Sequence, residues 1–247
     1  MNNYLSTEES DKHYSDILQH LSPTFACVMR QVYLWMTFAL CVSGLTAHIV
    51  ANNPVFVSYI FIEQSWIFWC LTGFLLVVGI SLAVFIDRLS LPLAFLFFVV
   101  YSLANGVILS SVFIIYTIDS ISSVFFITAG LFLTMSVVGY MTKKDLTSLG
   151  NLFYVGLWGL ILATIVNIFI HSSVMTLIIS YIGVVIFIGL TAYDTQKIKL
   201  RLLRSYLSPS PEPSTSVYKM ALLGAFDLYL DFLNLFLYLL RIFGKKK

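Results

Sequence analysis

Seven long apolar stretches fill most of this chain, and each is long enough to cross the hydrocarbon core of a lipid bilayer as a helix. Hydrophobic residues make up 59% of the 247 residues and charged residues only 11%, whereas soluble domains are roughly one quarter charged. Backbone polar groups must be satisfied inside lipid, and runs of this length predict helices rather than barrel strands. We therefore expect an all-α membrane protein with seven transmembrane helices, over residues 28–51, 65–86, 91–115, 121–140, 152–170, 173–193 and 219–240.

The segments outside these stretches are short. Residues 1–27 are polar and net acidic and lack the pattern of a removable signal peptide, so we expect a cytoplasmic N-terminal tail. Residues 205–218 include a run rich in proline and serine, which predicts a flexible cytoplasmic tether inside the seven-helix domain 28–240. Residues 241–247 form a basic C-terminal tail. Any binding chemistry should therefore lie within the helix bundle or at its two ends.

The distribution of Lys and Arg predicts the orientation. These residues lie before the first stretch and in every second loop, and the alternate loops contain none. The positive-inside rule then places the N-terminus in the cytoplasm. The lysines at 245–247 disagree, because seven full crossings put them outside; either they are translocated despite their charge or the last segment is re-entrant. We favour seven crossings, since late charges have little influence once earlier spans are oriented.

The seventh stretch carries two aspartates near its centre, Asp227 and Asp231. A carboxylate in mid-bilayer costs about 2.5 to 3.5 kcal/mol on insertion scales, so such residues indicate a functional site. The two are four residues apart and share one helical face, which Asn234 and Tyr238 continue. If spans six and seven are antiparallel neighbours, Asp194 at the cytoplasmic end of span six lies within about two turns of either aspartate. We therefore expect the carboxylates to meet in one site.

Carboxylates gathered in a low-dielectric site cannot all stay ionised without a proton or a cation. Oxygen ligands of this kind suit Ca²⁺, and Arg88 at the end of span two is a candidate cation from the protein itself. Protonation, or replacement of the arginine by Ca²⁺, would then change the packing around span seven. Simpler roles remain open: Asp194 could pair with a nearby lysine, Arg88 could be an orientation anchor, and Asp227 and Asp231 could be structural.

Residues 191–198 read Thr-Ala-Tyr-Asp-Thr-Gln-Lys-Ile, and residues 228–236 read Leu-Tyr-Leu-Asp-Phe-Leu-Asn-Leu-Phe. They resemble the sixth- and seventh-span signatures of the Bax inhibitor family, also called the transmembrane Bax inhibitor motif family. The likeness extends to residues 141–146 and to the junction at 88, and so covers nearly the whole membrane region. It implies a bacterial-type member with span seven in the middle of two three-helix layers.

The resemblance also implies a function and its residues. It implies a pH-sensitive calcium leak in which Asp194 and Asp231 act as the sensor and Ca²⁺-binding pair and Arg88 latches the closed form. Asp227 stands where a neutral residue is expected, so it and Asn234 are candidate additional cation or tuning residues. The tether between spans six and seven is also longer than expected for compact bacterial members.

Other function classes remain as alternatives. The resemblance implies contacts with membrane proteases and cell-death or stress regulators, so the chain could instead be a non-transporting regulator. Two aspartates on neighbouring spans also suggest an intramembrane aspartyl protease, but residues 224–227, Gly-Ala-Phe-Asp, lack its Gly-x-Gly-Asp motif. We expect no enzyme activity, no cofactor and no nucleic acid, with lipid, Ca²⁺ and H⁺ as partners. The short loops favour a bacterial inner membrane, with the endoplasmic reticulum as the alternative.

Overall fold

The computed structural model describes residues 2–60, 64–86, 88–142, 144–207 and 214–247, with side chains from Phe25 onward apart from those of residues 65, 83, 205–207 and 214–216. This part of the chain is almost entirely helical, which confirms the all-α prediction. Its α-helices are α1 (Asn2–Ala51), α2 (Pro54–Ser58), α3 (Ser65–Phe85), α4 (Leu91–Ile115), α5 (Ile118–Met141), α6 (Thr147–Ile170), α7 (Ser173–Leu207) and α8 (Ser214–Phe243).

Six segments in the described part of the chain are long and apolar enough to cross a membrane as helices, and α3 adds a shorter apolar stretch, Trp66–Leu82. Inside lipid a helix satisfies its own backbone hydrogen bonds, so long apolar runs fold this way. The chain is therefore a multi-pass integral membrane protein. The six segments are Phe25–Ala51, Leu91–Ile115, Ile118–Met141, Thr147–Ile170, Ser173–Arg204 and Val217–Phe243.

The last helix, α8, is the most buried of the six. Of the residues in its most apolar stretch, 67% are buried inside the molecule. The corresponding share is 44% in α4 and 6% in α6. It packs against α1, α4, α5 and α7, while α3 packs on α4 and α6 packs on α7. Tyr229 of α8 is fully buried, with its ring edge against Phe98 of α4 at 5.7 Å. The helix with two aspartates is thus the one most shielded from lipid.

Helices extend into two of the segments that the sequence placed outside the membrane spans. The helix α1 begins at Asn2, so residues expected to form a separate polar tail continue into the first span. α7 runs to Leu207 and α8 begins at Ser214, so helix occupies both ends of the predicted tether; residues 208–213 lie outside the described residues. Apolar residues explain why α7 extends beyond the predicted span 173–193, because Ile198, Leu202 and Leu203 are buried.

The C-terminal residues lie against the turn between α4 and α5. Tyr116 and Lys246 form an isolated antiparallel bridge. The Thr117 N–H donates to the Lys245 carbonyl at 3.0 Å, and the Lys247 N–H donates to the Ile115 carbonyl at 3.0 Å. The turn between α5 and α6 lies at the other end of α5, where it contacts α7 through Gln196. α8 therefore runs from one end of the bundle to the other.

Candidate functional site

Asp194 of α7 and Asp231 of α8 meet inside the bundle, as the sequence predicted. Each residue is only 4% exposed, and their side chains lie next to each other. Oδ2 of Asp231 is buried and has no hydrogen-bond partner. This carboxylate pair therefore keeps one buried oxygen atom that no described protein group satisfies.

The ammonium group of Lys197 is the cation nearest to Asp194. Lys197 lies one turn after Asp194 on α7, and its Nζ donates to Oδ1 of Asp194 at 3.1 Å. The same Nζ donates to Oδ2 of Asp227 on α8 at 3.2 Å. One lysine therefore bridges two carboxylates on two helices, and we call this arrangement the lysine bridge.

Asp227 has a second positive partner. Nη1 of Arg201, one further turn along α7, donates to Oδ2 of Asp227 at 3.4 Å. The side chain of Asp227 is 18% exposed and that of Arg201 is 29% exposed, whereas that of Asp194 is 6% exposed. The cluster thus becomes more accessible from the carboxylate pair toward the end of α7, and positive charge increases in the same direction.

Two tyrosines complete the surroundings of the lysine bridge. The Tyr154 hydroxyl of α6 donates to Oδ1 of Asp194 at 3.5 Å and accepts from Nζ of Lys197 at 3.4 Å. The Tyr154 and Tyr193 ring centroids lie 5.9 and 5.8 Å from Nζ of Lys197, within the range of a cation–π contact. Three helices, α6, α7 and α8, therefore contribute to the site.

The structure does not bring Arg88 to the carboxylate pair. Arg88 is exposed in the turn after α3, and within the described residues no ion pair joins it to Asp194 or Asp231. In this conformation, Lys197 and Arg201 pair with the aspartates of α7 and α8. The reason is geometric. Lys197 follows Asp194 by about one turn on α7, and Arg201 follows Lys197 by about one further turn.

Asn234 also lies apart from the hydrogen-bonded cluster. Its Nδ2 donates to the Leu230 carbonyl of its own helix at 2.8 Å. Tyr238, the next residue of the predicted polar stripe, stacks against Phe187 and lies beneath the Arg241 guanidinium. The stripe therefore divides into a carboxylate half at Asp227 and Asp231 and a packing half toward the other end of α8.

Short contacts with α5 fix the position of Asp194. Gln196 donates from Nε2 to the Lys144 carbonyl at 2.8 Å and accepts from the Leu146 N–H at 2.8 Å, so its side chain clamps the α5–α6 turn. The Thr195 hydroxyl, one residue after Asp194, lies 2.9 Å from the Ser136 hydroxyl of α5. The two residues that follow Asp194 thus attach α7 to α5 and to the α5–α6 turn through neutral polar contacts.

Sequence reasoning identified the carboxylates but not most of their partners. A pairing of Asp194 with a nearby lysine was one of the open alternatives, and it occurs together with the contact to Asp231. The roles of Arg201, Tyr154 and Gln196 were missed. The spacing of Asp194, Lys197 and Arg201 along α7 would have identified Arg201. Tyr154 belongs to another helix, and no local pattern connects it to the site.

The chemistry available here is the binding of protons and cations. Among the described residues, no group of three or more His, Cys, Asp or Glu side chains is arranged to hold a metal ion. The carboxylates instead pair with two protein cations, Lys197 and Arg201. A mobile cation would have to take the place of one of these.

Comparisons with known proteins agree over nearly the whole chain. A family model described as "Inhibitor of apoptosis-promoting Bax1" matches residues 26–247. The chain is 41% identical over 219 residues to inner membrane protein YbhL of Escherichia coli (strain K12), which covers 89% of this chain and 92% of that protein. It is 42% identical over 221 residues to an uncharacterized protein of Borreliella burgdorferi, with coverage of 89% and 92%. It is also 39% identical over 226 residues to uncharacterized protein RP147 of Rickettsia prowazekii, with 89% of each chain covered.

Proposed function

The chain belongs to the Bax inhibitor family, and from this premise we propose that it is a pH-sensitive calcium leak pathway gated by the carboxylate pair Asp194 and Asp231. The observation that carries the proposal is the buried contact between these two carboxyl groups, one from α7 and one from the central helix α8. Charge at such a depth is costly, so intramembrane carboxylates commonly mark ion or proton pathways.

We propose seven crossings, with α8 in the middle. The helix α3 has 21 residues, which at 1.5 Å per residue gives about 31 Å, enough for the hydrocarbon core. The packing supports a layer of α1, α3 and α4 on one side of α8 and a layer of α5, α6 and α7 on the other, because α8 contacts helices of both groups. A change at α8 would therefore act on both layers.

We also propose a bacterial inner membrane and a cytoplasmic N-terminus. The name of the Escherichia coli relative supports the inner membrane, and the loop charges support the orientation. In this orientation the lysine bridge faces the cytoplasm and the C-terminal lysines face outward. Ca²⁺ would leak down its gradient toward the cytoplasmic end of α7 and α8.

The gating step follows from the chemistry of the pair. With one proton shared, Asp194 and Asp231 hold α7 and α8 together and the path is shut. Loss of that proton places two negative charges side by side, and binding of Ca²⁺ gives them a new partner; either change weakens the bond between the helices. α8 then moves relative to its neighbours and Ca²⁺ passes.

Reconstitution into liposomes that contain a Ca²⁺ indicator tests this proposal. We expect wild-type protein to admit Ca²⁺ at a rate that changes with pH, and Asp194→Asn and Asp231→Asn to abolish that pH dependence. Asp119→Asn is the matched control, because Asp119 is an exposed aspartate in the first turn of α5, away from the pair. If the two variants keep the wild-type pH profile, the gate is wrong. If wild-type protein admits no Ca²⁺, the regulator alternative gains support.

A further inference from the structure

The Lys197 ammonium lies where two carboxylates of different helices converge. Its Nζ is 3.1 Å from Asp194 and 3.2 Å from Asp227, and the two tyrosine rings flank it. The two carboxylate charges are matched by the charges of Lys197 and Arg201. Removal of the lysine charge alone would leave a partly buried carboxylate without a full partner, which is strongly unfavourable in a low-dielectric site.

The oxygen atoms around this ammonium are those that a hard cation prefers. Asp194 and Asp227 each contribute a carboxylate oxygen, and Tyr154 contributes a hydroxyl within 3.4 Å of Nζ. Next to them, Asp231 keeps a buried carboxylate oxygen without a hydrogen-bond partner. That free oxygen is a second, independent feature of a cation site, since buried polar atoms are nearly always paired.

The lysine side chain is also able to leave. It is 24% exposed, and the Asp227 side chain beside it is 18% exposed. An ammonium on a flexible four-carbon stem carries a point charge and can rotate toward solvent, unlike a guanidinium held by two parallel hydrogen bonds. Arg201 also pairs with Asp227, so this carboxylate has a positive partner other than Lys197.

We propose that Lys197 is a tethered cation that occupies the entrance between Asp194 and Asp227, and that a divalent cation binds there only when the lysine side chain moves out. The part of this inference that concerns flux rests on the proposed function; the part that concerns binding does not. Lys197 then determines the cation affinity of the entrance, and Asp227 is one of the carboxylates for which lysine and divalent cation compete.

Binding of ⁴⁵Ca²⁺ to the purified full-length protein at neutral pH tests the competition. We expect Lys197→Met to bind Ca²⁺ about tenfold more tightly than wild-type protein, because the variant lacks the competing charge at the same carboxylates. Lys199→Met is the matched control, since Lys199 lies on the same helix with its Nζ over the Tyr140 ring, and it should bind like wild-type protein. Lys197→Arg retains the charge and should stay near wild-type affinity. Equal Ca²⁺ affinity in Lys197→Met and Lys199→Met would overturn the inference.

Amine acetylation of wild-type protein gives a second measurement that needs no variant. Mass spectrometry would follow the modification rates of Lys197 and Lys199 with and without Ca²⁺. Displacement of the lysine predicts a severalfold faster modification of Lys197 in Ca²⁺ and an unchanged rate at Lys199. A Lys197 rate that is constant or falls at saturating Ca²⁺ would overturn the inference. Neither binding nor acetylation depends on flux, so wild-type protein that fails to conduct in liposomes would refute the proposed function and leave the lysine bridge to be judged separately.

Discussion

Gly139 of α5 lies directly against the backbone carbonyl of Ala192 on α7, two residues before Asp194. A Cβ atom at position 139 would overlap this carbonyl, and backbone cannot give way as a flexible side chain can. Close approach of this kind is how small residues bring membrane helices together. The position of Asp194 therefore depends on a glycine of the neighbouring helix.

We predict that Gly139→Ala destabilises the folded bundle. The extra methyl group pushes α5 from α7, and overpacking of this kind typically costs about 1 to 3 kcal/mol. Gly130→Ala is the matched control, because a Cβ atom at this position of the same helix meets nothing within 4 Å. Thermal unfolding in detergent would compare the two variants. Equal melting temperatures would show that the α5–α7 contact is looser than the structure indicates.

A second prediction concerns Gln196, the clamp on the α5–α6 turn. Gln196→Leu removes the partners of the Lys144 carbonyl and the Leu146 N–H, and each of these part-buried hydrogen bonds is worth about 0.5 to 1.5 kcal/mol. Asn234→Leu should cost less, because that side chain bonds only to a carbonyl of its own helix. Chemical denaturation would give the order, and a greater loss for Asn234→Leu would contradict it.

The third prediction uses pH at Asp145, in the turn outside the membrane segments. The Thr147 hydroxyl and N–H donate to Oδ1 of Asp145 at 2.6 and 2.9 Å, and these bonds hold the pKa of Asp145 below its usual value. A lowered folded-state pKa stabilises the fold above the unfolded-state pKa, and this contribution is lost as pH falls through the folded-state pKa.

Thr147→Ala removes the hydroxyl donor, so we expect the pKa of Asp145 to rise toward its ordinary value. The stability difference from wild-type protein should shrink as the solution is acidified. NMR titration of the carboxyl carbon and melting curves at neutral and acidic pH would measure both effects. Thr164→Ala is the control, because its hydroxyl bonds only to the Leu160 carbonyl and its cost should not vary with pH. A constant cost for Thr147→Ala would contradict the assignment.

The sequence predicted the parts of this molecule that follow from hydropathy and helix period. The apolar lengths predicted membrane helices, and the four-residue spacing of Asp227 and Asp231 predicted that they share one helical face, which in the structure lies toward α7. Hydropathy and helix period do not identify the partner of a buried carboxylate when several cations of the chain are available. Arg88 and Lys197 were both available, and helix geometry favoured the residue one turn from Asp194 over the one at the end of another helix.

Two features of the sequence disagreed about the side of the membrane on which the C-terminus lies. Seven crossings place it outside, whereas the lysines at 245–247 favour the cytoplasm. The structure binds Lys245 and Lys247 to the α4–α5 turn through backbone hydrogen bonds, and the Lys247 ammonium donates to the Phe113 carbonyl at 2.7 Å. These hydrogen bonds satisfy polar groups of the basic C-terminal segment. The segment lies at the end of the bundle opposite the lysine bridge. We therefore predict that the C-terminus and the α4–α5 turn face the same compartment.

Single cysteines introduced at Asp119, Lys144 and Lys247 test this last prediction, in a background where the three native cysteines are replaced by alanine. With an impermeant maleimide applied to intact cells whose outer membrane has been made permeable, we expect labelling at 119 and 247. Residue 144, in the α5–α6 turn, should react only after the inner membrane is disrupted, because one crossing of α5 separates it from residue 119. Labelling of 247 together with 144 would mean that α8 re-enters rather than crosses. Labelling of 144 alone in intact cells would reverse the whole orientation, and the lysine bridge would then face outward.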